Sequence, residues 1–410
     1  MKALERIRIT DFSGVLAGAG ASKILAAFGA EVIRVENPSN LGAWDVVRGS
    51  PPYIDERRGH NLGGGFNNHN AGKLGVTLNL QTEKGRAILP RLIAISDVVA
   101  ENFAAGVMER LGFGYDRLRE IKPDIIYLSN CGFGASGPYV SFKTWGPIVQ
   151  AVSGLTHISG LPGLPPAGWG YSYMDHTGAY YGAIAMLAAL HHRNRTGEGQ
   201  WIDLSMTEAA ASLTGTAILD WTVNGRPARR DGYPDANHSD SPPMAPHGIY
   251  PARDEDHWVA IACRDDADWQ AIAEEIAELW VHDARFATLE GRLANQPALD
   301  ELMSRWTRLF DEDEVAERLQ AAGVPAAPVQ RPEQRIDQDP NTAAWGLWPE
   351  VKHTEMGHVR VEGMAAHLSK TDWSLDRAAP CLGEHNREVY GGLLGMSDDE
   401  IDQLQAEGVI

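Results

Sequence analysis

The stretch RIRITDFSGVLAGAGASKILAAFGAEVIRVEN (residues 6–37) decides the fold. RIRITDFSG reads as a strand. GAGASKILAAFGA (18–30) has helical apolar spacing, and EVIRVEN (31–37) reads as a second strand. Strand, helix, strand is a βαβ unit, the building block of parallel sheets. The glycines at its turn invite a dinucleotide fingerprint. Gly18 and Gly20 fit, and Glu36 stands about 20 residues on, where a ribose-binding acid belongs. Lys23, however, occupies the place of the third glycine, which normally lets helix and strand pack closely. That break favours a helix packed on a sheet over an NAD site.

Outward from this unit the alternation continues. QTEKGRAILPRLIAIS (81–96) is helical, DVVAENF (97–103) a strand, YDRLREIKP (115–123) a short helix and DIIYLSNCGFG (124–134) a strand ending in glycines. The order predicts an α/β fold with a doubly wound, Rossmann-like sheet. SGLPGLPPAGWGYSYM (159–174) is a loop by composition, followed by the helix GAYYGAIAMLAALHHR (178–193), the strand QWIDLSM and a further helix. DGYPDANHSDSPPMAPHG (231–248) reads as a linker or surface loop. Beyond it, strand, turn, strand and three helices make a smaller α+β domain. The expected division is 1–225 for the first part of the large domain, 226–244 for a linker and 245–330 for the small domain. Residues 331–410 form a linker and a C-terminal part that completes the large domain.

The totals narrow the function. Of 410 residues, 55 are Asp or Glu and 36 Lys or Arg, a net charge of -19. Such a chain lacks the basic face that nucleic-acid binding needs. No run approaches the ~18 apolar residues of a membrane span, and the N-terminus lacks the apolar core of a signal peptide. Cys131, Cys263 and Cys381 have no metal or redox spacing, so no metal is expected and the expected compartment is the cytoplasm.

Five stretches, in order from end to end of the chain, resemble the family III CoA-transferases, or CaiB/BaiF family. They are DFSGVLAGAGASKILAAFGAEVIRVENP, NAGKLGVTLNLQTEKGRAIL, DVVAENFAAGVMERLGFGYDRLREIKPDIIYLSNCGFGASGPY, DHTGAYYGAIAMLAALHHRNRTGEGQWIDLSMTEA and CLGEHNREVY. The family includes formyl-CoA and carnitine CoA-transferases and α-methylacyl-CoA racemases. The resemblance implies an interlocked homodimer, a Rossmann-like large domain built from both chain ends, and coenzyme A or acyl-CoA as substrate with a carboxylic acid as the other partner. It also implies a covalent aspartate just ahead of a helix, here Asp175. A carboxylate nucleophile activates an acid without ATP, because each step exchanges one activated acyl bond for another. Local sequence alone leaves a helix N-cap open for Asp175.

Further positions carry over from the resemblance. Val15 and Ala17 fall where relatives contact CoA through backbone, and Leu16 replaces a Gln of formyl-CoA transferases. Lys73 matches a basic residue that meets CoA phosphate, with Leu74 in place of the usual Arg. Asn102 and Phe103 match a pair beside the pantetheine, and Asn102 also suits turn capping. Arg110 matches a phosphate-facing Arg and Leu111 its apolar neighbour, while Asn37 falls where some members hold another Arg. Gly132 and Phe133 begin GFGASG, a glycine loop suited to binding developing oxyanions through N–H groups.

Two other readings share the fold. Racemases use a His and an Asp as acid and base, but Trp145 in KTWGPIVQAVSG takes the His position. His157 and His176 are nearby in sequence without matching it, and His176 is expected to cap the helix or face solvent. A non-catalytic CoA-binding subunit paired with an unlike chain is the third reading, and retention of Asp175 argues against it. Trp145, Trp169, Tyr171, Tyr173, Tyr180 and Tyr181 surround Asp175 in sequence. If some of them line the pocket, the acid is larger than formate or oxalate: cyclic, aromatic, branched or, like carnitine, cationic.

Overall fold

The computed structural model describes residues 2–170 and 172–410; Tyr171, read above as part of the approach to Asp175, lies outside the described residues. The βαβ unit comprises β1 (Arg8–Asp11), α1 (Ala17–Ala27) and β2 (Glu31–Glu36). Gly29, with φ +105°, turns the chain from helix to strand. The fingerprint glycines serve helix packing rather than a pyrophosphate. A Cβ on Gly20 would stand 3.0 Å from the Cβ of Ala179 on a later helix, and one on Gly18 would fall 2.2 Å from the Cβ of Ser13.

The chain continues through α2 (Gly64–Asn70), β3 (Leu74–Thr77), α3 (Glu83–Ala94), β4 (Val98–Glu101), α4 (Val107–Arg110), α5 (Tyr115–Ile121) and β5 (Ile126–Cys131). Next come α6 (Gly146–Val152), α7 (Tyr173–Thr196), β6 (Trp201–Ser205), α8 (Met206–Ala211) and α9 (Gly215–Asn224). The strands form one sheet in the order β3-β2-β1-β4-β5-β6, every pair parallel. Adjacent residues on a strand point to opposite faces. Thus Ile33, Val99 and Tyr127 enter one core with Leu89 and Leu92 of α3. Val32, Val98, Ile126 and Leu128 enter the other, against Leu25 of α1 and Met186 of α7. Each such side chain contributes roughly 1.5–3 kcal/mol by leaving water. The strand order reverses between β1 and β4, and the crevice outside that point is where open α/β sheets bind ligands.

The chain divides into two compact units. The first holds residues up to Thr156, Gly168–Ile218 and Pro340–Ile410, and the second His157–Ala167 and Leu219–Asp339. The second unit has a short hairpin, β7 (Ser239–Asp240) with β8 (Pro243–Met244). Its antiparallel sheet has the order β11-β10-β9, made of β9 (His247–Pro251), β10 (Trp258–Ala262) and β11 (Ala326–Pro328). Helices α10 (Asp266–Ile276), α11 (Leu289–Ala294), α12 (Gln296–Thr307) and α13 (Glu312–Ala321) close a core that includes Val259, Ile261, Trp269, Leu299 and Leu319.

In the first unit, the C-terminal part adds the hairpin β12 (Glu350–His353) and β13 (Gly357–Arg360), and a last helix, Asp398–Ala406, begun by a Ser397–Glu400 capping box. The Val409 carbonyl accepts from Asn79 N–H at 2.7 Å, and Asn386 Oδ1 accepts from Thr77 N–H at 2.9 Å. These bonds fasten the chain end beside β3. No helix among the described residues is long and apolar enough to cross a membrane.

Candidate active site

The site grows out of the β1–α1 turn. Val15 there has φ +57°, a left-handed value that is costly for a β-branched residue. Neighbours hold it in place. Val15 N–H donates to Asp45 Oδ1 at 3.1 Å and Gly14 N–H to Asn102 Oδ1 at 2.7 Å, while Asn102 Nδ2 donates to the Gly14 carbonyl at 3.0 Å. Asn102 follows β4, so its amide clamps the two sides of the switch crevice together. Gly14 has to be glycine, because a Cβ would fall 2.1 Å from the Trp44 ring.

A cavity of about 320 Å³ opens at this crevice, outside the carboxyl ends of β1, β4 and β5. It gathers Asp175 with Val15, Ala17, Asn102, Phe103, Gly132 and Phe133. A second cavity, of about 450 Å³, shares Trp44 and Phe103 with the first and is lined by Leu111, Asn37 and the buried Arg34. Arg34 Nε and Nη1 are buried without hydrogen-bond partners, so they are donors in want of acceptors.

Asp175 is not an N-cap. Ser172 holds that position, and Asp175 is the third residue of α7. Its N–H donates to the Ser172 carbonyl at 3.0 Å, and the Ser172 hydroxyl hydrogen-bonds its carboxylate. The carboxylate also abuts the first residue of α6, since a Cβ on Gly146 would stand 2.8 Å from Asp175 Oδ2 and 3.1 Å from Cγ. Asp175 is 9 % exposed. Burial pushes its pKa up to about 6, against the lowering effect of the Ser172 hydrogen bond. A carboxylate stripped of water in this way is a better nucleophile than a solvated one. Trp145 lines the cavity, and no histidine is among its described lining residues.

The glycine loop is braced from β6 and α8. The Gly132 carbonyl accepts from Thr207 N–H at 3.0 Å and Thr207 Oγ1 at 2.8 Å. Ala135 N–H donates to Asp203 Oδ1 at 2.7 Å. The N–H groups of Phe133 and Gly134 hydrogen-bond the Cys131 sulfur. In this arrangement those three amides serve the loop itself, so the oxyanion role read for GFGASG needs donors other than these or a shift of the loop. Cys131 is no rival nucleophile: burial first, then Glu101 and Asp203, push its thiol up to about 12.

Other sequence expectations are corrected. Lys73 is fully buried, and its ammonium donates to Asp11 Oδ2 at 3.0 Å, the Ala19 carbonyl at 2.9 Å and Asn70 Oδ1 at 2.9 Å. All three of its donors are used, so it does not present itself to a phosphate. Burial alone would raise the Asp11 carboxyl, but Lys73, Arg34 and the Ser13 and Ser22 hydroxyls hold it below its ordinary range. Arg110 is exposed on α4 and lines neither cavity, although its neighbour Leu111 lines the second. Glu36 is bound by Arg48 through Nε at 2.7 Å and through Nη2, which occupies the carboxylate a nucleotide ribose would need.

His176 lies within the first turn of α7 and is not among the described lining residues of the cavity. It is half-buried, with its ring 5.6 Å from that of the buried His69. Of the aromatic residues near Asp175 in sequence, Trp145 lines the cavity, whereas Trp169, Tyr173, Tyr180 and Tyr181 do not. The wall residues that sequence reasoning missed include Trp44, Phe142 and Lys143. They stand in irregular segments, where periodicity gives no signal.

The sequence model of CoA-transferase family III matches residues 4–386, and the chain belongs to that family. It is 32 % identical to the succinyl-CoA–D-citramalate CoA-transferase of Chloroflexus aurantiacus, over 99 % of this chain and 98 % of that one. It is 33 % identical to the formyl-CoA:oxalate CoA-transferase of Streptomyces avermitilis, over the full length of both. Among solved structures, a CaiB/BaiF family protein from Brucella suis superposes with a TM-score of 0.85 at 30 % identity, covering 96 % of this chain and 99 % of that one. The chain is therefore a transferase of the CoA-transferase class, with CoA thioesters as substrates.

Proposed function

We propose that the chain moves CoA from an acyl-CoA donor to a carboxylic acid, with Asp175 as the covalent carrier. The carboxylate attacks the thioester, giving an aspartyl–acyl anhydride and CoA thiolate. The thiolate attacks the aspartyl carbonyl carbon, releasing the first acid and leaving an aspartyl-CoA thioester. The incoming acid's carboxylate attacks that thioester, forming a second anhydride and freeing the thiolate again. Thiolate attack on the new acyl carbonyl yields the new acyl-CoA and restores Asp175. No proton, oxidant or ATP is consumed.

The observation that carries this reading is the buried Asp175 carboxylate, held against Gly146 and Ser172 in a cavity at the switch point of a Rossmann-ordered sheet. The cavity's want of histidine among its described walls favours transfer over racemization, which needs an imidazole beside the acid. The CoA chain is assigned to the two adjoining cavities. Val15, Ala17, Asn102, Phe103, Gly132 and Phe133 lie along the reacting end, and Leu111 and the orphan nitrogens of Arg34 lie further out. The walls Trp44, Phe133, Phe142 and Trp145 suit an acid with an apolar body larger than formate.

The reading includes a cytoplasmic, interlocked homodimer. In its support, Tyr180, Ile184 and Leu187 form an apolar stripe on α7 that is 42–62 % exposed. The test is hydroxylamine trapping of Asp175 during turnover. Acyl-CoA-dependent modification of that residue is expected, and its absence with a donor that binds would overturn the covalent role.

A further inference from the structure

The cavity around Asp175 has an uneven charge inventory. Its described walls combine aromatic and aliphatic side chains with the neutral polar Asn102, Asn130 and Thr144 and the acid Asp175, and Lys143 is the one cation among them. Lys143 is exposed, on the segment between β5 and α6. Among the described residues no ion pair or hydrogen bond engages its ammonium, although acids outnumber bases 55 to 36 in the chain. Carboxylates near the cavity are otherwise engaged. Asp203 accepts from Ala135 N–H, and Glu101 accepts from Phe103 N–H and the Tyr127 hydroxyl. A lysine kept free of internal carboxylates in so acidic a chain is suited to an anion that arrives with the substrate.

Two sources of anion exist, the CoA phosphates and the acid. Chain geometry favours the acid. Lys143 is three residues from Gly146, whose Cα abuts Asp175, and three residues span at most about 11 Å. A lysine side chain turned toward Gly146 is long enough to bridge much of that interval. The long pantetheine arm of CoA, by contrast, carries the phosphates well away from a thioester reacting at Asp175.

We propose that Lys143 is a specificity-determining residue that holds the second carboxylate of a dicarboxylic acid, while the first reacts at Asp175. The apolar body between the two carboxylates then lies against Phe142 and Trp145. This inference rests on the reading of Asp175 as covalent carrier. It adds the substrate class to that reading and accounts for the one cation among the described walls.

The test compares matched acids with one acyl-CoA donor: succinate against butyrate, and glutarate against valerate. In the wild-type protein the dicarboxylate is expected to have the higher kcat/KM in each pair. In Lys143→Met the dicarboxylate-to-monocarboxylate ratio should fall on the order of 10- to 100-fold, the loss of one charge-assisted hydrogen bond. Lys143→Arg should recover most of the ratio. An unchanged ratio in Lys143→Met, or an equal loss with both acids of a pair, would overturn the proposal and return Lys143 to CoA or to the fold. Trapping of the wild-type protein separates the two levels. Asp175 modification without dicarboxylate preference sinks this inference alone, whereas no modification with any donor sinks the covalent reading and this inference with it.

Discussion

Substituting Asn for Asp175 should abolish transfer and, at neutral pH, stabilise the protein. Burial raises the carboxyl from an ordinary 3.8 to about 6, so the folded state binds this proton more tightly than the unfolded chain does. The sign follows. For a carboxyl whose folded pKa is raised, the charged form is a liability of the folded state, fully present above the folded value and absent below the unfolded one. At 1.36 kcal/mol per pK unit the liability at pH 7.5 is about 3 kcal/mol. It falls to roughly half of that at pH 5 and to about 0.5 kcal/mol at pH 4. Asn keeps the shape and removes the charge. Urea denaturation of wild type and Asp175→Asn across this range measures the difference directly. The variant should be more stable at pH 7.5, with the advantage vanishing between about 6 and 3.8. A variant less stable at every pH, or an advantage independent of pH, would refute the reasoning that Asp175 is held charged and desolvated.

Two more substitutions probe the surroundings. Lys73→Met should lower the free energy of unfolding by about 3–5 kcal/mol, because it strands the buried Asp11 carboxylate; an effect confined to the KM for acyl-CoA would instead restore a phosphate-binding role. Gly146→Ala drives a methyl to 2.8 Å from Asp175 Oδ2. It should slow formation of the Asp175 adduct on the order of 100-fold, with a far smaller change in acyl-CoA affinity measured by calorimetry, and an unaltered rate would show that the carboxylate's position there is immaterial.

Much of the fold was legible because it is written in local patterns. The apolar alternation of EVIRVEN and DVVAENF gives β2 and β4, and the helical spacing of QTEKGRAILPRLIAIS gives α3 in spite of Pro90. Helix α6 was not legible, since GPIVQAV opens with Gly and Pro and spans only two turns. The short segments of α2 and β3 likewise lacked a clear period. At the site, Val15, Ala17, Asn102 and Gly132 line one cavity because they follow the ends of adjacent strands, and topology fixes that crevice. Lys73 shows the limit. A lysine just ahead of a strand reads alike whether it points to solvent or to a buried acid, and only its place beside Asp11 of β1 and Ala19 of α1 decides. The same limit applies to Lys143, whose meaning depends on being the one cation among the described residues of a wall assembled from separate loops. Asp175 could be found from sequence but not oriented. Gly146 and Ser172, which grip it, stand on segments that no local pattern links.

In the proposed cycle Asp175 carries first the acyl group and then CoA. The most direct measurement incubates the purified protein with a panel of acyl-CoAs, quenches with hydroxylamine and reads the Asp175 peptide by mass spectrometry. A hydroxamate is expected at Asp175 alone, dependent on acyl-CoA and missing in Asp175→Asn. Donors shown to bind that leave Asp175 unmodified in every case would contradict it, and the carboxylate would then have to act on the substrate without forming a bond to it.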